Sequence, residues 1–404
     1  WTMKKNCVQD CDRTYYLYLP SSVTCSKNNN AVVVGNDSST GGGGRLPLVF
    51  AVHCLGCSPQ TMMYWVDIAE KYQFVLAIPE GLQNSFNAQH CCGHALDNNV
   101  DDVGLLKAMI QELTVDVLPN VLSANLTYAW GWSNGGYMVS YASHLFRGIA
   151  PISGYQVDLF NFEDHKRKPI AIFLHHSQDD PFVRITGCCS NASMPHCCCG
   201  ISDTSGDTCT SVQTKMQEWA SGPINGCHGE PLVIRDEPDV VTCYTYPNCL
   251  ANTTYCVHQH KGHFNRPSLE KVFPMSDEIA EFFARDACQA NGHGQWIERG
   301  GDGPSRCICE HKASGQYCTS LGTTSPLSNN NDALFGVKEE EENRTTIPPE
   351  WVLVVFFLIA FIFVCVPFGL LAPKCYNYMR RRPRKSSDSQ QSYSKVSTVE
   401  LRSL

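Results

Sequence analysis

Residues 129–135 read Ala-Trp-Gly-Trp-Ser-Asn-Gly and place Ser133 at the centre of a Gly-x-Ser-x-Gly pentapeptide. A short apolar stretch, residues 128–132, precedes the serine, and a helix-compatible stretch, residues 136–145, follows it. The pattern predicts a strand, a tight turn and a helix, and the small residues Gly131 and Gly135 would let the turn expose the serine hydroxyl. Because this pentapeptide often arises by chance, its interpretation depends on partners elsewhere in the chain.

Two downstream loops supply an acid and a base in the order Ser, Asp, His that nucleophilic serines use on α/β-hydrolase folds. The apolar strand at residues 170–174 leads into Asp179 and Asp180. We favour Asp180 as the acid because the proline after it fixes the loop, whereas Asp179 is free to face solvent or to cap. His263 follows Gly262 in a loop after a β-rich stretch, and we predict that it is the general base.

Backbone N–H groups are expected to bind the oxyanion. One belongs to Asn134, the residue after the serine. The other is expected just after the predicted strand at residues 46–53, at Cys54 or Leu55. The sequence leaves the choice between these two residues open.

Five motifs occur in a fixed order along the chain. They lie at residues 53–56 (HCLG), 79–93 (PEGLQNSFNAQHCCG), 100–106 (VDDVGLL), 176–181 (HSQDDP) and 262–263 (GH). Over residues 13–286 this series resembles secreted polyhydroxybutyrate depolymerases and feruloyl or acetylxylan esterases. The resemblance implies an α/β-hydrolase fold, which is a mostly parallel sheet covered by helices on both faces. It also implies that Ser133, Asp180 and His263 are catalytic, and that the substrate is an ester-bearing polysaccharide or a polyester.

Three residues depart from the family pattern close to the expected cleft. Cys54 replaces a glycine, Phe86 replaces a tryptophan, and Phe264-Asn265 stands where the family has Trp-Pro. The expected chemistry is unaffected, but the sequence does not choose between polysaccharide esters and polyesters.

Composition places the chain among ordinary globular proteins of an oxidising compartment. A net charge of −8 and 43% hydrophobic residues argue against a nucleic-acid partner, which would need a basic face. Of 23 cysteines, 21 precede the apolar segment at residues 351–372, a density typical of secreted proteins. Because 21 is odd, we expect at least one thiol that is free or bonded between chains. We predict no cofactor and no metal.

Residues 351–372 carry no charge and are long enough to cross a bilayer core of about 30 Å. Acidic residues precede the segment and basic residues follow it, so we predict a single-pass type I protein whose N-terminal part lies outside the cell or in the secretory lumen. The lipid bilayer is therefore an expected partner. Residues 1–12 are polar, and we expect that a signal peptide has been removed or omitted.

Glycosylation sequons agree with this orientation, because all of them precede the apolar segment. They lie at Asn36, Asn125, Asn191, Asn252 and Asn343. Asn125 comes just before the predicted nucleophile strand, so we expect it to be too buried for modification.

Strands alternate with helical stretches up to about residue 284, and the texture then changes. We divide the chain into an esterase domain (1–286), an EGF-like segment (287–319), a disordered stalk (320–350), a transmembrane helix (351–373) and a cytoplasmic tail (374–404). The spacing of Cys307, Cys309 and Cys318 resembles the C-terminal half of an EGF-like module. With Cys288 as the fourth cysteine the module is truncated, and Cys288–Cys307 and Cys309–Cys318 are the expected pairs. We expect this EGF-like segment to contact an extracellular partner. The alternative is a disulfide-linked stalk that belongs to no known module family.

The tail is basic near the membrane and then rich in serine, threonine and tyrosine. Contact with anionic lipid and phosphorylation of the serines are two expectations for it, and an inert tail is the alternative.

Cysteine pairing elsewhere follows only from the resemblance. It suggests Cys227 with Cys249, and Cys91 or Cys92 with the pair Cys54 and Cys57. The dense cysteines of residues 188–209 have a zinc site as the alternative to disulfides.

His258 and His260 lie close to His263 in the chain. We interpret the first two as surface residues, with a metal site as the alternative. Asp101 and Asp102 open a predicted helix, where capping is favoured over a catalytic part.

Together these features predict a membrane-anchored extracellular serine esterase. The alternative is a hydrolase fold reused, without catalysis, as an adhesion or receptor ectodomain. The EGF-like segment, stalk and tail suit that alternative, whereas an intact serine, acid and histidine argue against it.

Overall fold

The computed structural model describes residues 2–8, 10–25, 32–34, 44–89, 91–155, 168–187, 211–264, 275–290, 292–297, 305–310, 313–314 and 316–321. The stalk from residue 322 onward, the membrane segment and the tail lie outside these residues. Among the residues described, no helix is both long and apolar enough to cross a bilayer.

The centre of the protein is one sheet, in which ten of the described strands follow the order β1-β2-β6-β5-β7-β8-β9-β12-β11-β10. Its strands are β1 (Thr2–Val8), β2 (Asp10–Tyr18), β5 (Leu46–Val52), β6 (Val75–Pro79), β7 (Leu122–Trp132), β8 (Gly148–Ile152), β9 (Ala171–Ser177), β10 (Leu232–Glu237), β11 (Val241–Thr245) and β12 (Thr253–His258). The six strands from β6 to β12 run parallel, and the strands on either side of them pair antiparallel. The prediction of a mostly parallel sheet is confirmed.

Helices cover both faces of the sheet. They are α1 (Trp65–Tyr72), α2 (His94–Asp97), α3 (Asp102–Gln111), α4 (Asn134–Tyr141), α5 (Val212–Ala220) and α6 (Met275–Gln289), with 3₁₀ turns at Pro59–Met62 and Ser143–Leu145 and a π turn at Glu112–Val117. Alternate residues of β5 enter opposite cores: Phe50 packs in the core shared with α3, α4 and α5, and Val49 in the core shared with α1 and α6. A strand covered on both faces is apolar throughout, which is why β5 reads as a continuous hydrophobic run.

Parallel pairing brings the carboxyl ends of β5, β7, β9 and β12 to one edge of the sheet. Each of these strands runs directly into a loop that carries a predicted site residue. The fold therefore gathers residues that are up to about two hundred positions apart in the chain, as is general for ligand sites of open parallel sheets.

The segment after α6 forms two small hairpins, β13 (Gly294–Ile297) with β14 (Arg306–Cys309) and β15 (Ala313–Ser314) with β16 (Ser320–Leu321). A further hairpin, β3 (Val23–Cys25) with β4 (Val32–Val34), lies earlier in the chain. Tyr317 is 2% exposed, packs on the ring of Phe74 and donates a hydrogen bond to the carbonyl oxygen of Tyr72 at 2.5 Å. A buried aromatic side chain thus packs the disulfide-rich segment against the end of α1 and the residue before β6.

Asp101 and Asp102, at the start of α3, have different structural roles. Asp101 caps the helix by accepting a hydrogen bond from the backbone N–H of Gly104 at 2.7 Å. Asp102 is buried and forms an ion pair with Arg13 at 2.6 Å, and it also accepts the N–H of Asn87 at 2.6 Å. Asp102 therefore ties β2 to the loop before α2, a role that helix capping alone did not predict.

Candidate active site

Ser133 occupies the turn between β7 and α4 with φ 56° and ψ −119°. A positive φ is strained for a residue with a side chain, and such strain persists only where the surroundings enforce it. The backbone N–H of Ser133 donates to the carbonyl oxygen of Ile152 at 2.8 Å. A Cβ at Gly131 would overlap the carbonyl of Gly135, and one at Gly135 would overlap the carbonyl of Val52. Both glycines of the pentapeptide are therefore needed for this close-packed turn.

His263 lies in the loop after β12, and its Nε2 is 2.8 Å from Ser133 Oγ. The indole Nε1 of Trp132, the last residue of β7, donates to the carbonyl oxygen of His263 at 3.1 Å. Gly262 has φ +55°, and a Cβ there would meet nothing within 4 Å. Glycine is thus favoured at position 262 by its left-handed backbone conformation.

Asp180 lies in the loop after β9 and faces the other ring nitrogen. Its Oδ2 and Oδ1 are 2.9 and 3.1 Å from His263 Nδ1, and Oδ1 also accepts the N–H groups of Phe182 and Val183 at 2.9 Å each. Burial alone would raise the pKa of Asp180, but the contact with His263 and the Val183 N–H outweigh burial and lower it. An ionised Asp180 accepts a hydrogen bond from Nδ1–H, so the unprotonated Nε2 faces the serine hydroxyl as an acceptor.

His176, which appeared in the sequence only as the first residue of the motif at 176–181, is buried beneath the acid loop. Its Nε2 donates to the carbonyl oxygen of Val183 at 2.6 Å and lies 3.9 Å from Asp180 Oδ2. Burial lowers the pKa of His176 to about 4, so the ring is neutral at pH 7. This neutral ring fixes the backbone whose N–H groups hold Asp180.

Cys54 and Leu55 line the same cleft as Ser133, and Asn134 directly follows Ser133. Within the described residues, neither the N–H of Leu55 nor that of Asn134 donates a backbone hydrogen bond. His53 donates from Nδ1 to the carbonyl oxygen of Cys54 at 2.8 Å and accepts the N–H of Gly81 at Nε2, at 3.0 Å. Because C=O and N–H point in opposite directions across a trans peptide, this contact turns the Leu55 N–H away from His53. This contact is compatible with Leu55 as the second donor, and the choice between Leu55 and Cys54 stays a prediction.

Residues 79–93, which carry the family resemblance, brace this donor pair. The Asn134 side chain donates to the carbonyl oxygen of Phe86 at 2.9 Å and accepts its N–H at 2.8 Å. The N–H of Gly56 donates to the carbonyl oxygen of Asn84 at 2.8 Å. Phe86 is fully buried, so this departure from the resembled pattern lies in the packing behind the cleft and not on its surface.

A cleft of about 330 Å³ opens at the serine. It is lined by Cys54, Leu55, Trp132, Ser133, Pro181, Phe182, Lys261, Gly262 and His263. Leu55 is 46% exposed and Phe182 is 61% exposed, and the Phe182 ring packs edge-on to His263 at 5.2 Å. Two exposed apolar side chains therefore flank the serine, which suits an apolar group of a ligand.

Six disulfides join cysteines among the described residues. Bonds join Cys54 with Cys57, Cys91 with Cys92, Cys227 with Cys249, Cys243 with Cys256, Cys288 with Cys307, and Cys309 with Cys318. The suggested link from Cys91 or Cys92 to the oxyanion loop is wrong, because each loop closes a bond within itself. Cys243 and Cys256 were not paired from the sequence. They sit opposite each other in the register of β11 and β12, a signal that needs the strand alignment.

His258 is fully buried, which corrects its expected place on the surface. Its Nε2 lies 3.1 Å from His175 Nδ1, and burial lowers the pKa of His258 to about 3. His260 is exposed, as expected.

In the part of the chain that the structure describes, no group of three or more His, Cys, Asp or Glu side chains is placed to hold a metal ion. Residues 188–209, with their alternative of a zinc site, lie outside that part.

Asn125 is exposed near the start of β7, which corrects the expectation that it is buried. Asn252 is also exposed, directly before β12. Both lie at the amino ends of parallel strands, on the edge of the sheet opposite Ser133. Asn36, Asn191 and Asn343 lie outside the described residues.

No protein-family model and no curated protein matches the chain. Among solved structures, it is similar to the acetyl xylan esterase from Aspergillus awamori (12% identity, TM-score 0.42), over 70% of this chain and 99% of that one. It is also similar to dipeptidyl peptidase 4 from Porphyromonas gingivalis (11%, 0.38), over 70% of this chain and 35% of that one. A third is the thermophilic esterase Est2 from Thermogutta terrifontis (11%, 0.32), over 45% and 74% of the two chains. Likenesses of this size do not identify the reaction of this chain.

Proposed function

We propose that the protein is a serine hydrolase of carboxylic esters with an α/β-hydrolase fold, in which Ser133, His263 and Asp180 form the catalytic triad. The observation that carries this proposal is the unbroken hydrogen-bond series from Ser133 Oγ through His263 to Asp180, at 2.8 and 2.9 Å. A strained turn that raises the serine out of the sheet supports it further.

The proposed reaction begins when Ser133 Oγ attacks the ester carbonyl carbon and its proton moves to His263 Nε2. The carbonyl oxygen becomes an oxyanion, which accepts hydrogen bonds from the N–H groups of Leu55 and Asn134. His263 then protonates the departing alcohol, and an acyl group stays on Ser133. Water, deprotonated by His263, releases the acid and restores the serine. Asp180 stabilises the imidazolium throughout.

The proposed substrates are acyl esters of a polysaccharide, such as acetyl or feruloyl esters, or a polyhydroxyalkanoate-type polyester. The resemblance of the motif series supports this class. A cleft of about 330 Å³ with apolar lips at Leu55 and Phe182 supports a short or flat acyl group rather than a long chain.

We place the protein at a membrane surface, with residues 351–373 as the transmembrane anchor and the active site outside the cell or in the secretory lumen. The uncharged segment with basic residues after it supports this orientation. The exposure of Asn125 and Asn252 supports glycosylation on the edge opposite the cleft. The segment 287–319 is proposed as a truncated EGF-like contact for an extracellular partner, with its two disulfides as support.

Hydrolysis of p-nitrophenyl acetate and methyl ferulate by the full chain in detergent tests the reaction. We expect turnover with both esters, and a loss of at least about a thousandfold in Ser133→Ala. Ser140→Ala is the matched control, because this buried serine of α4 donates only to the carbonyl oxygen of Gly136. Equal rates in the wild type and Ser133→Ala would contradict the proposal and leave the adhesion or receptor ectodomain as the better reading.

A further inference from the structure

The adjacent carboxylates Asp179 and Asp180 follow β9 and make different contacts. Asp180 faces the imidazole of His263, whereas Asp179 Oδ1 accepts the backbone N–H of Gly262, the residue before His263, at 2.9 Å. The same oxygen accepts the hydroxyl of Ser177 at 2.7 Å. The acid loop therefore binds both the ring of His263 and the Lys261–Gly262 peptide directly before it.

Ser177 completes the connection between the two loops. Its buried Oγ accepts the N–H of Lys261 at 3.2 Å while donating to Asp179. The N–H of Gln178 donates to the carbonyl oxygen of His258 at 2.8 Å. The backbone of the base loop is thus fastened to the acid loop at residues 258, 261 and 262.

The loop is also held by the N–H of Phe264, which donates to the carbonyl oxygen of Lys261 at 3.1 Å, and by the buried Phe264 side chain. The loop belongs to no helix or strand, and Gly262 has a left-handed backbone. Trp132 holds the carbonyl of His263 from the other side. Without Asp179, the N–H of the Lys261–Gly262 peptide would lose this partner next to a glycine, which has the widest conformational range of any residue.

We propose that Asp179 is a positioning residue of the active site, which fixes the Lys261–Gly262 peptide directly before His263 so that the imidazole stays between Ser133 and Asp180. This inference rests on the proposed function, because it assigns Asp179 an effect on turnover. A misplacement of about 1 Å in a catalytic group costs on the order of a hundredfold in rate.

The charge of Asp179 suits this role. The hydrogen bond from Ser177 lowers the pKa of Asp179, and the N–H of Gly262 lowers it further against a small effect of burial. The carboxylate is therefore ionised at neutral pH and makes charge-assisted hydrogen bonds, which are stronger than neutral ones. It is exposed to solvent, so ionisation there carries little desolvation penalty.

Steady-state kinetics of the full chain with p-nitrophenyl acetate test the inference. In Asp179→Ala we expect kcat to fall by about 10- to 100-fold while KM stays within about twofold. Asp179→Asn keeps an acceptor oxygen at the same position and should recover most of the lost kcat. Ser177→Ala removes the bridging hydroxyl and should lower kcat in the same direction. Asp116→Ala, an exposed carboxylate of the π turn, is the matched control and should be unchanged.

Thermal unfolding of each variant separates positioning from damage to the fold. A kcat within about twofold of the wild type in Asp179→Ala would overturn the inference. So would a loss of kcat in Asp179→Ala that Asp179→Asn does not relieve, or one that follows a lower unfolding temperature in both variants. If Ser133→Ala still hydrolyses the ester, the proposed function fails. If Ser133→Ala is inactive and Asp179→Ala is normal, only the role of Asp179 fails.

Discussion

Replacing Asp180 with asparagine tests the triad with the smallest change of shape. Asp180 Oδ1 accepts two backbone N–H groups, from Phe182 and Val183, while Oδ2 makes the shorter contact with His263 Nδ1. In Asp180→Asn the amide oxygen should stay with the two N–H donors, because the flipped amide would lose both bonds at about 1 kcal/mol each and oppose donor to donor. The amide NH₂ then faces His263 Nδ1.

An NH₂ group at that position reverses the tautomer of the base. Nδ1 must then accept a hydrogen bond from the amide NH₂, so the single ring proton sits on Nε2, which faces Ser133 Oγ at 2.8 Å. A protonated Nε2 cannot take the serine proton. We expect kcat to fall on the order of ten-thousandfold, about 5 kcal/mol in the activation barrier, with little change in KM. Hydrolysis of p-nitrophenyl acetate measures the loss, and Asp116→Asn is the control. A variant within about tenfold of the wild type would refute the assignment of Asp180.

Three further changes probe the surroundings of the site. His53→Ala frees the Cys54 carbonyl and should lower kcat about 100- to 1000-fold by misdirecting one oxyanion donor, as measured with the same ester; an unchanged kcat would argue against Leu55 as that donor. Between pH 6.5 and about 4, unfolded chains bind a proton at His176 that the folded protein excludes, so the contribution of His176 to stability should fall by about 3 kcal/mol as the pH decreases through this window. Urea unfolding of the wild type and His176→Asn at several pH values measures this slope, which should be shallower in the variant. Tyr317→Ala should cost about 3–5 kcal/mol in urea unfolding but leave kcat unchanged, because Tyr317 packs at the sheet edge opposite the serine; a lower kcat would contradict that separation.

The site residues could be predicted because their sequence signals are local. Ser133 lies between two glycines that the tight turn requires, and Asp180 and His263 each follow a strand whose apolar or β-rich residues are legible in sequence. Parallel strands then bring these loop positions to one edge of the sheet.

The misses arose where the outcome depended on distant neighbours. His258 looked like an exposed histidine, but it is the last residue of β12, where the ring of His175 covers it. Helix α4 begins two residues earlier than predicted, because the turn at Ser133 leads directly into the helix at Asn134. The role of Asp179 was equally hidden, since its partner Gly262 lies 83 residues away in the chain.

Strand register explains why acid and base meet despite that separation. β9 and β12 are neighbouring parallel strands, and Ser177 pairs with His258 at their last positions. Asp180 is three residues beyond the first and His263 five beyond the second, so the register fixes where each loop starts. A slip of one residue would turn every side chain of β12 to the opposite face and remove His258 from the core. The chain between the two loops therefore has no direct part in the Asp180–His263 distance, which depends on the pairing of two strands and on the contacts of Asp179 and Ser177.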